Sequence, residues 1–203
     1  MGNAMLFTRL SLSVKAGESV TLSGPSGSGK STLLRCILGF CGWSDGAIYI
    51  LGEALTARSV WRLRGRLAYV GQEPDLGDGL VRDALTRALA YRGNQHLQFD
   101  VDEARTLFER LLLPAGLLDK TTDALSGGEK QRVALTAALL LKRPILLLDE
   151  VASALDGNAK QAVREYLCAM PETTIVSVSH DTRDFALTGP VVDLSRLTSE
   201  PCA

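Results

Sequence analysis

The feature of this sequence that most constrains its fold is a glycine-rich loop between an apolar run and a helical pattern. Residues 24–31 read GPSGSGKS, which fits G-x-x-x-x-G-K-[S/T]. The apolar run at residues 19–22 predicts a strand, and residues 31–39 predict a helix that a glycine ends. A strand that enters a helix through such a loop is typical of an α/β fold, in which helices cover a mostly parallel sheet.

The loop predicts a binding site for nucleotide phosphates. Glycines let successive backbone N–H groups converge on an anion, and the positive end of the following helix points at the same place. Lys30 is expected to reach the β- and γ-phosphates, and the Ser31 hydroxyl to ligate Mg²⁺. An ordinary glycine-rich turn would not explain eight matching residues in this context. The residues predicted to contact the nucleotide here are Gly24, Pro25, Ser26, Gly27, Ser28, Gly29, Lys30, Ser31 and Thr32.

A second apolar run ends in two acidic residues. Residues 145–148 are continuously apolar, which favours a parallel strand covered on both faces, and Asp149 and Glu150 follow. Ligands of open α/β sheets bind at the carboxyl ends of the strands. Asp149 is therefore predicted to hold Mg²⁺, and Glu150 to polarise an attacking water as a general base. The simpler alternative, that both acids only cap the following helix, does not account for the phosphate loop elsewhere in the chain.

The segment LSGGEKQR at residues 125–132 combines a helix start with two unexpected glycines. Ser126 and Glu129 fit an S-x-x-E capping box, which begins a helix. Gly127 and Gly128 are not explained by capping, because glycine in a helix costs stability relative to alanine. Glycines at this place let an anion approach the free N–H groups of the helix closely. A second anion site besides the phosphate loop implies a phosphate that is held from two sides.

In these motifs the chain resembles the ATP-binding subunits of ABC transporters. LSGGEKQR is similar to the signature sequence of that family, and Gln72 to its Q-loop glutamine. Residues 153–156 (SALD) are similar to its D-loop, and His180 to its switch histidine. Taken singly, Gln72 would be a solvated loop residue and His180 a structural one. Together with the phosphate loop and the acidic pair, these motifs stand in the family's order over nearly the whole chain. This order favours functional roles for Gln72 and His180.

The resemblance implies ATP hydrolysis by a homodimer of such domains. ATP bound at Lys30 of one protomer would be covered by Ser126, Gly127 and Gly128 of the other, and Asp156 would link the two sites. The implied catalytic residues are Glu150, His180 and Gln72, and the implied Mg²⁺ ligands are Ser31, Gln72 and Asp149. The cofactors would be ATP and Mg²⁺. The partner would be an integral membrane permease docked near Gln72, which places the chain in the cytoplasm, peripheral on the inner face of the cell membrane.

Composition excludes several other classes of function. The net charge of -1 gives no electrostatic support for nucleic-acid binding, so no nucleic acid is expected as a partner. The four cysteines show no C-x-x-C spacing, and with only two histidines neither a zinc site nor a disulfide framework is expected. The N-terminus does not read as a signal peptide, and no uncharged apolar stretch reaches the ~18 residues of a membrane span. A membrane role would therefore need another chain to cross the membrane.

The pattern along the chain predicts an α/β core that is split by a helical insertion. The resemblance implies a P-loop NTPase (RecA-like) core with a small antiparallel β subdomain and an inserted α-helical subdomain. We expect one ABC ATPase domain over residues 1–203, with its core at about 1–74 and 143–203 and the helical subdomain at about 75–142. Strands are predicted at residues 10–14, 19–22, 47–51, 66–70, 145–148 and 173–178. Helices are predicted at residues 31–39, 80–91, 101–113, from Ser126 to about 143, and 150–170.

The sequence departs from the family at two places. Most members carry an aromatic residue upstream of the phosphate loop that stacks on adenine, and here that position falls at or before Met1. Phe7 and Phe40 are poor substitutes by spacing, so either the chain is truncated or adenine is held differently. The arginine usual in the helix after the signature is also absent, because the sequence there is Thr136-Ala137-Ala138.

The sequence is compatible with three functions. The favoured one is the motor subunit of a transporter, and the alternative is a soluble ABC ATPase that serves as an assembly scaffold of the iron–sulfur type. A nucleotide-gated module on nucleic acid or ribosomes is disfavoured, since such proteins carry two domains in one chain or long coiled-coil arms. Residues 113–132 are similar to the subunits of iron-export and metal-resistance transporters, but lipoprotein- and peptide-export ATPases share most of them. Neither the transported substance nor its direction follows from the sequence.

Overall fold

The computed structural model describes Phe7, residues 10–180 and residues 185–197. Its strands are β1 (Ser19–Ser23), β2 (Tyr49–Ile50), β3 (Glu53–Ala54), β4 (Leu67–Val70), β5 (Ile145–Asp149), β6 (Thr174–Val178) and β7 (Val191–Asp193). Its α-helices are α1 (Lys30–Ile37), α2 (Val60–Arg64), α3 (Val81–Leu89), α4 (Val101–Arg110), α5 (Gly127–Leu140) and α6 (Gly157–Cys168).

Five strands form one parallel sheet in the order β4–β5–β6–β1–β7. All five residues of β6 are buried, as are four of the five in β5, which is expected for central strands with helices on both faces. β2 and β3 pair antiparallel, separately from this sheet. Leu51 and Gly52 connect them with φ of 52° and 79°, and positive φ at both residues suits a two-residue hairpin. The predicted α/β class with a small antiparallel element is confirmed.

Successive side chains of β5 pack into two different apolar clusters. Leu146 and Leu148 join a cluster that includes Val163 and Leu167 of α6, whereas Leu147 joins a second cluster with Leu34 of α1. This division follows from the two-residue period of a strand, whose side chains point alternately to opposite faces. Because both clusters are apolar, β5 can run through the middle of the molecule without a polar face.

A third apolar cluster lies among the helices that follow β4. It brings together α3, α4 and α5 around residues such as Leu85, Phe108 and Val133. Arg132 of α5 ties this group to the end of α4, since its Nη1 donates to the carbonyls of Leu111 and Leu112 at 3.1 and 2.8 Å. The inserted helical subdomain that the sequence predicts is thus present, with its own apolar core.

The expectation of a strand at residues 10–14 is wrong. Leu10, Leu12 and Val14 are partly buried against the second cluster, and the serines between them are exposed. The alternating pattern is real, but within the described residues no other segment pairs with this one, so it is not a strand. An alternation of apolar and polar residues shows which side chains face the core. It does not show whether a neighbouring strand is present to pair with.

The expectation of a helix over residues 150–170 is wrong at its start. Glu150 has a φ of 51°, which lies outside the helical region, and a turn follows it. α6 begins only at Gly157, where the Asp156 side chain accepts the Ala159 N–H at 2.9 Å and caps the helix. The acidic pair therefore does not cap α6; a third acid, six residues beyond Glu150, does.

Three short elements, β3, α2 and β7, have no counterpart among the sequence predictions. They contain two, five and three residues, which is too few for a hydrophobic period to be recognised. No helix within the described ranges combines the length and the apolarity that crossing a membrane requires.

Replacing Gly189 by alanine is expected to lower the free energy of unfolding by about 3 kcal/mol, at the upper end for overpacking. A Cβ at Gly189 would lie 1.6 Å from the carbonyl oxygen of Ser19 at the start of β1, so backbone would have to move. Gly116→Ala is the control, because a Cβ there meets no atom within 4 Å. Urea unfolding measures both variants. Equal midpoints would show that the close approach of Gly189 to β1 does not matter for stability.

Candidate functional site

The loop between β1 and α1 forms an open cradle of backbone N–H groups. Gly27 and Gly29 have φ of 82° and 88°, a left-handed conformation that side chains rarely adopt. A Cβ at Gly27 would meet no atom within 4 Å, so the loop is open on that side. No side chain caps the N-terminus of α1. Its first N–H groups are therefore available to an anion, as the phosphate-loop pattern predicts.

Lys30 lies inside this cradle. The residue is only 5% exposed, and its Nζ donates to the carbonyls of Gly24 and Pro25 at 2.8 and 3.0 Å. These bonds hold the ammonium at the loop rather than in solvent. The Oγ of Ser28 is buried without a hydrogen-bond partner among the described residues. A buried hydroxyl that lacks a partner beside a buried cation is what a phosphate-binding loop offers to its ligand.

Asp149, at the end of β5, is buried and bonded at both oxygens. Its Oδ1 accepts the Ser31 hydroxyl at 3.0 Å, and its Oδ2 accepts the Tyr69 hydroxyl at 3.3 Å. Burial, and then the Asp149 carboxylate, raises the pKa of Tyr69, which keeps that hydroxyl protonated as a donor. With 3% exposure, the carboxylate needs both donors to offset the loss of water.

The pair Ser31 and Asp149 fits the preferences of Mg²⁺. Both present hard oxygen atoms, and protein sites commonly hold this ion with one or two such ligands plus phosphate oxygens. Across residues 10–180 and 185–197 no cluster of three His, Cys, Asp or Glu residues could form a self-sufficient metal site. An ion here would therefore depend on the nucleotide for most of its ligands.

Gln72, Glu150 and His180 meet at one atom, although they are far apart in sequence. The Gln72 Nε2 donates to Glu150 Oε2 at 3.0 Å, and His180 Nδ1 lies 3.4 Å from that same oxygen. Glu150 is fixed by its positive φ and by its N–H, which donates to the Val178 carbonyl at 3.1 Å. A cavity of about 80 Å³ beside Glu150 and His180 has room for a few water molecules.

The segment LSGGEKQR begins α5 as its capping pattern predicts. Ser126 is the N-cap, its Oγ accepts the Glu129 N–H at 3.3 Å, and Glu129 accepts the Ser126 N–H at 2.8 Å. That backbone hydrogen bond lowers the pKa of Glu129. Within the described part of the chain Ser126 makes no hydrogen bond to the loop of Lys30. One protomer thus does not bring the two predicted anion sites into direct contact.

Gly128 has a structural role that sequence reasoning missed. A Cβ on it would lie 2.8 Å from the carbonyl oxygen of Ala154, whereas a Cβ on Gly127 would lie 3.9 Å from the Ala154 side chain. The helix start therefore packs against the segment SALD of the same chain. Asp156, which closes that segment, caps α6 in this structure. Its sequence-based link between two protomers stays a prediction.

Tyr69 was also missed, although it is one of two donors to Asp149. It faces Leu147 across the register of β4 and β5, two residues before Asp149. The only signal in the sequence is a hydroxyl-bearing residue in an otherwise apolar strand that ends just before Gln72. That signal becomes meaningful only when β4 is known to lie beside β5, and sequence order does not give this.

The comparison with protein families decides the assignment. A family model described as ABC transporter matches residues 7–153, which is well over half of the chain. The chain belongs to the ABC transporter family. The matched range contains the phosphate loop, Gln72, LSGGEKQR and the acidic pair, whereas Asp156 and His180 lie beyond it.

Curated relatives place this ABC protein among the ATP-binding subunits. It is 33% identical over 192 residues to an energy-coupling factor transporter ATP-binding protein of Oenococcus oeni, covering 92% of this chain and 68% of that protein. It is 33% identical over 207 residues to an Fe(3+) ions import ATP-binding protein of Haemophilus influenzae, covering 96% and 60%. These matches do not favour the alternative of an assembly scaffold.

Solved structures agree with this placement. A bacterial Atm1-family ABC exporter with ATP bound superposes with a TM-score of 0.77 at 29% identity, over 88% of this chain and 32% of that one. The protein cbiO1 of Clostridium perfringens, part of the ABC transporter complex cbiONQ, gives 0.71 at 25% identity, over 88% and 73%. The similar proteins thus include an importer subunit and an exporter, so the resemblance to iron-export subunits remains a prediction.

Tyr69→Phe is expected to destabilise the protein by about 1–2 kcal/mol, because the buried Asp149 carboxylate loses one of its two hydroxyl donors. Tyr49→Phe is the matched control, since Tyr49 is 68% exposed. Thermal and urea unfolding of both variants without nucleotide measure the difference. If Tyr69→Phe and Tyr49→Phe proved equally stable, the contact with Asp149 would not contribute.

Proposed function

We propose that this ABC subunit hydrolyses ATP to ADP and phosphate and uses the reaction to drive a separate membrane permease. The observation that carries the proposal is the meeting of Gln72, Glu150 and His180 at one carboxylate oxygen. These residues leave three neighbouring parallel strands at the edge where α/β folds bind ligands. A merely structural role would not require a glutamine, a glutamate and a histidine to converge there.

In this proposal the loop of residues 24–32 binds the phosphates. Backbone N–H groups and the N-terminus of α1 surround the anion, and Lys30 exchanges its bonds to Gly24 and Pro25 for phosphate oxygens. Ser31 and Asp149 would hold Mg²⁺ with Gln72 near it, and the bound ion would supply positive charge beside the phosphates. Tyr69 keeps the Asp149 carboxylate in place from the opposite side.

Glu150 is the proposed general base for the attacking water. Glu150 lines a cavity together with Ser179 and His180, and a water bound there would be beside its side chain. Gln72 orients the carboxylate by donating to Oε2, and His180 holds the geometry from the other side. Positioning of this kind is the main contribution of proteins to phosphoryl transfer.

Two protomers are proposed to close head to tail around two ATP molecules. The support is that Ser126, Gly127 and Gly128 start a helix yet make no hydrogen bond to the phosphate loop of their own chain within the described residues. The N–H groups of Gly127 and Gly128 would then complete a phosphate site from another protomer. Hydrolysis removes the γ-phosphate that bridges the two surfaces, so the dimer opens.

The proposed location and the permease contact follow from a role in a transporter. We propose a cytoplasmic subunit, peripheral on the inner face of the cell membrane, whose permease docks near Gln72 on the helical subdomain. The bounds proposed for this single domain over residues 1–203 are about 1–74 and 143–203 for the core and about 75–142 for the helices. The separate apolar cluster of α3, α4 and α5 supports that division.

Glu150→Gln is expected to retain ATP binding but to lower turnover by about 100-fold or more, because the amide cannot act as a base. The variant should accumulate an ATP-dependent dimer, which analytical ultracentrifugation with Mg²⁺ and ATP detects. Glu172→Gln, at an exposed position outside the site, is the control and should behave as the unmodified protein.

Ser126→Arg tests the head-to-tail dimer separately from hydrolysis. An arginine at this N-cap should block the partner's nucleotide and abolish the dimer while the monomer still binds ATP. Retained turnover in Glu150→Gln removes Glu150 from the role of base. An undiminished dimer in the combined Ser126→Arg, Glu150→Gln protein contradicts the head-to-tail arrangement.

The permease is tested by isolating tagged Glu150→Gln protein with ATP from detergent-solubilised cells of its source. The expected result is co-purification of a membrane protein with several spanning helices, identified by mass spectrometry and absent with the tag alone. Recovery of soluble proteins only, with ATP hydrolysis intact, would contradict the transporter part of the proposal and leave the ATPase part standing.

A further inference from the structure

A buried amide ties the helix of LSGGEKQR to the loop that carries Gln72. Gln131 lies in α5 and is 2% exposed, and its Nε2 donates to the carbonyl oxygen of Gly71 at 2.9 Å. The two residues are 60 positions apart in the chain. Because the Gln131 side chain is buried, loss of this bond would leave its amide without a water to replace the carbonyl, which is costly.

The carbonyl that Gln131 holds belongs to the peptide unit that joins Gly71 to Gln72. Since that unit is planar, fixing its oxygen also fixes the N–H and the Cα of Gln72. The Tyr69 ring lies against Gly71 from another side, because a Cβ there would be 3.3 Å from the Tyr69 hydroxyl. The backbone from which the Gln72 side chain reaches Glu150 is thus held by two side chains.

The first part of α5 also contacts two other segments, the end of α4 and the segment that contains Ala154. Arg132, the next residue, donates to the carbonyls of Leu111 and Leu112 at the end of α4. Ser126 and Gly128 lie within the five residues that precede Gln131, and Gly128 packs on Ala154. A displacement of the loop at Gly71 must therefore move the start of α5 or break the bond to Gln131.

We propose that Gln131 is a positioning residue for Gln72. Its amide sets where the Gln72 side chain meets Glu150, and it couples that glutamine to the Ser126–Gly128 end of the same helix. The inference rests on the proposed function, because it concerns a residue of the proposed catalytic group. Gln131 touches neither Glu150 nor the phosphate loop among the bonds of the described residues, so it acts through Gln72.

The test compares Gln131→Leu with Thr136→Val. Leucine keeps most of the volume and removes the donor. Thr136 is fully buried in the same helix, but among the described residues its hydroxyl bonds only to the Arg132 carbonyl, within the helix, at 2.9 Å. Gln131→Leu is expected to lower kcat for ATP about 10- to 100-fold with KM changed less than about twofold, because a misplaced catalytic group costs rate rather than binding. Thr136→Val should change kcat less than about twofold.

A double-mutant cycle distinguishes positioning from general damage. In a Gln72→Ala background, Gln131→Leu should reduce turnover by less than about twofold, since no Gln72 side chain remains to be placed. The same factor in both backgrounds overturns the inference. Gln131→Met, which also lacks the donor but is more flexible, replaces the leucine variant if that variant does not fold.

Hydrogen exchange on nucleotide-free protein gives a readout that needs no turnover. Amides of residues 71–79 should exchange faster in Gln131→Leu than in Thr136→Val or the unmodified protein. Unchanged exchange there overturns the inference even if turnover falls. If the unmodified protein does not hydrolyse ATP, the proposed function fails, whereas the exchange measurement still decides whether Gln131 holds the loop of Gln72.

Discussion

Parallel pairing of β5 with β4 on one side and β6 on the other sets the place of every proposed catalytic side chain. Val70 stands opposite Leu148, and Asp149 opposite Val178. Gln72 and His180 follow β4 and β6 by two residues and Glu150 follows β5 by one, so all three leave the sheet at the carboxyl ends of its strands. β1 ends at the same edge, which brings the phosphate loop beside them. A shift of register by one residue would turn the apolar side chains of β5 to the wrong cores and disperse the site.

The sheet has to bury a charged group at this edge, and the local hydrogen bonds make that possible. Asp149 is nearly inaccessible to water, yet both of its oxygens accept a hydroxyl, from Ser31 on α1 and Tyr69 on β4. A buried carboxylate with no partner would be neutralised or would destabilise the fold by several kcal/mol. The residues that stabilise Asp149 therefore also fix the distance between the phosphate loop and the end of β5.

The helical subdomain is connected to this edge through few but well-buried contacts. Gln131 reaches the Gly71 carbonyl, Gly128 packs on Ala154, and Arg132 ties α5 to α4. Two different physical causes thus explain why the two positions in LSGGEKQR are glycines. Gly127 is proposed to leave the helix start open to an anion, whereas Gly128 admits a neighbouring backbone of its own chain. The sequence suggested access for an anion but not the close packing at Gly128. A close approach between segments that are distant in the chain leaves no local pattern in the sequence.

The sequence by itself determined the α/β class, the phosphate loop, the acidic pair, the capping box at Ser126 and the family, because each is a local pattern with a local physical cause. It failed where the outcome depends on neighbours. Residues 10–14 alternate like a strand but pair with no strand of the described part of the chain, and after the left-handed conformation at Glu150 α6 begins only at Gly157. Only the tertiary structure decided that Tyr69 donates to Asp149 and that Gln131 holds Gly71. Strand order and helix docking bring those side chains together, and neither is written in the spacing of residues along the chain.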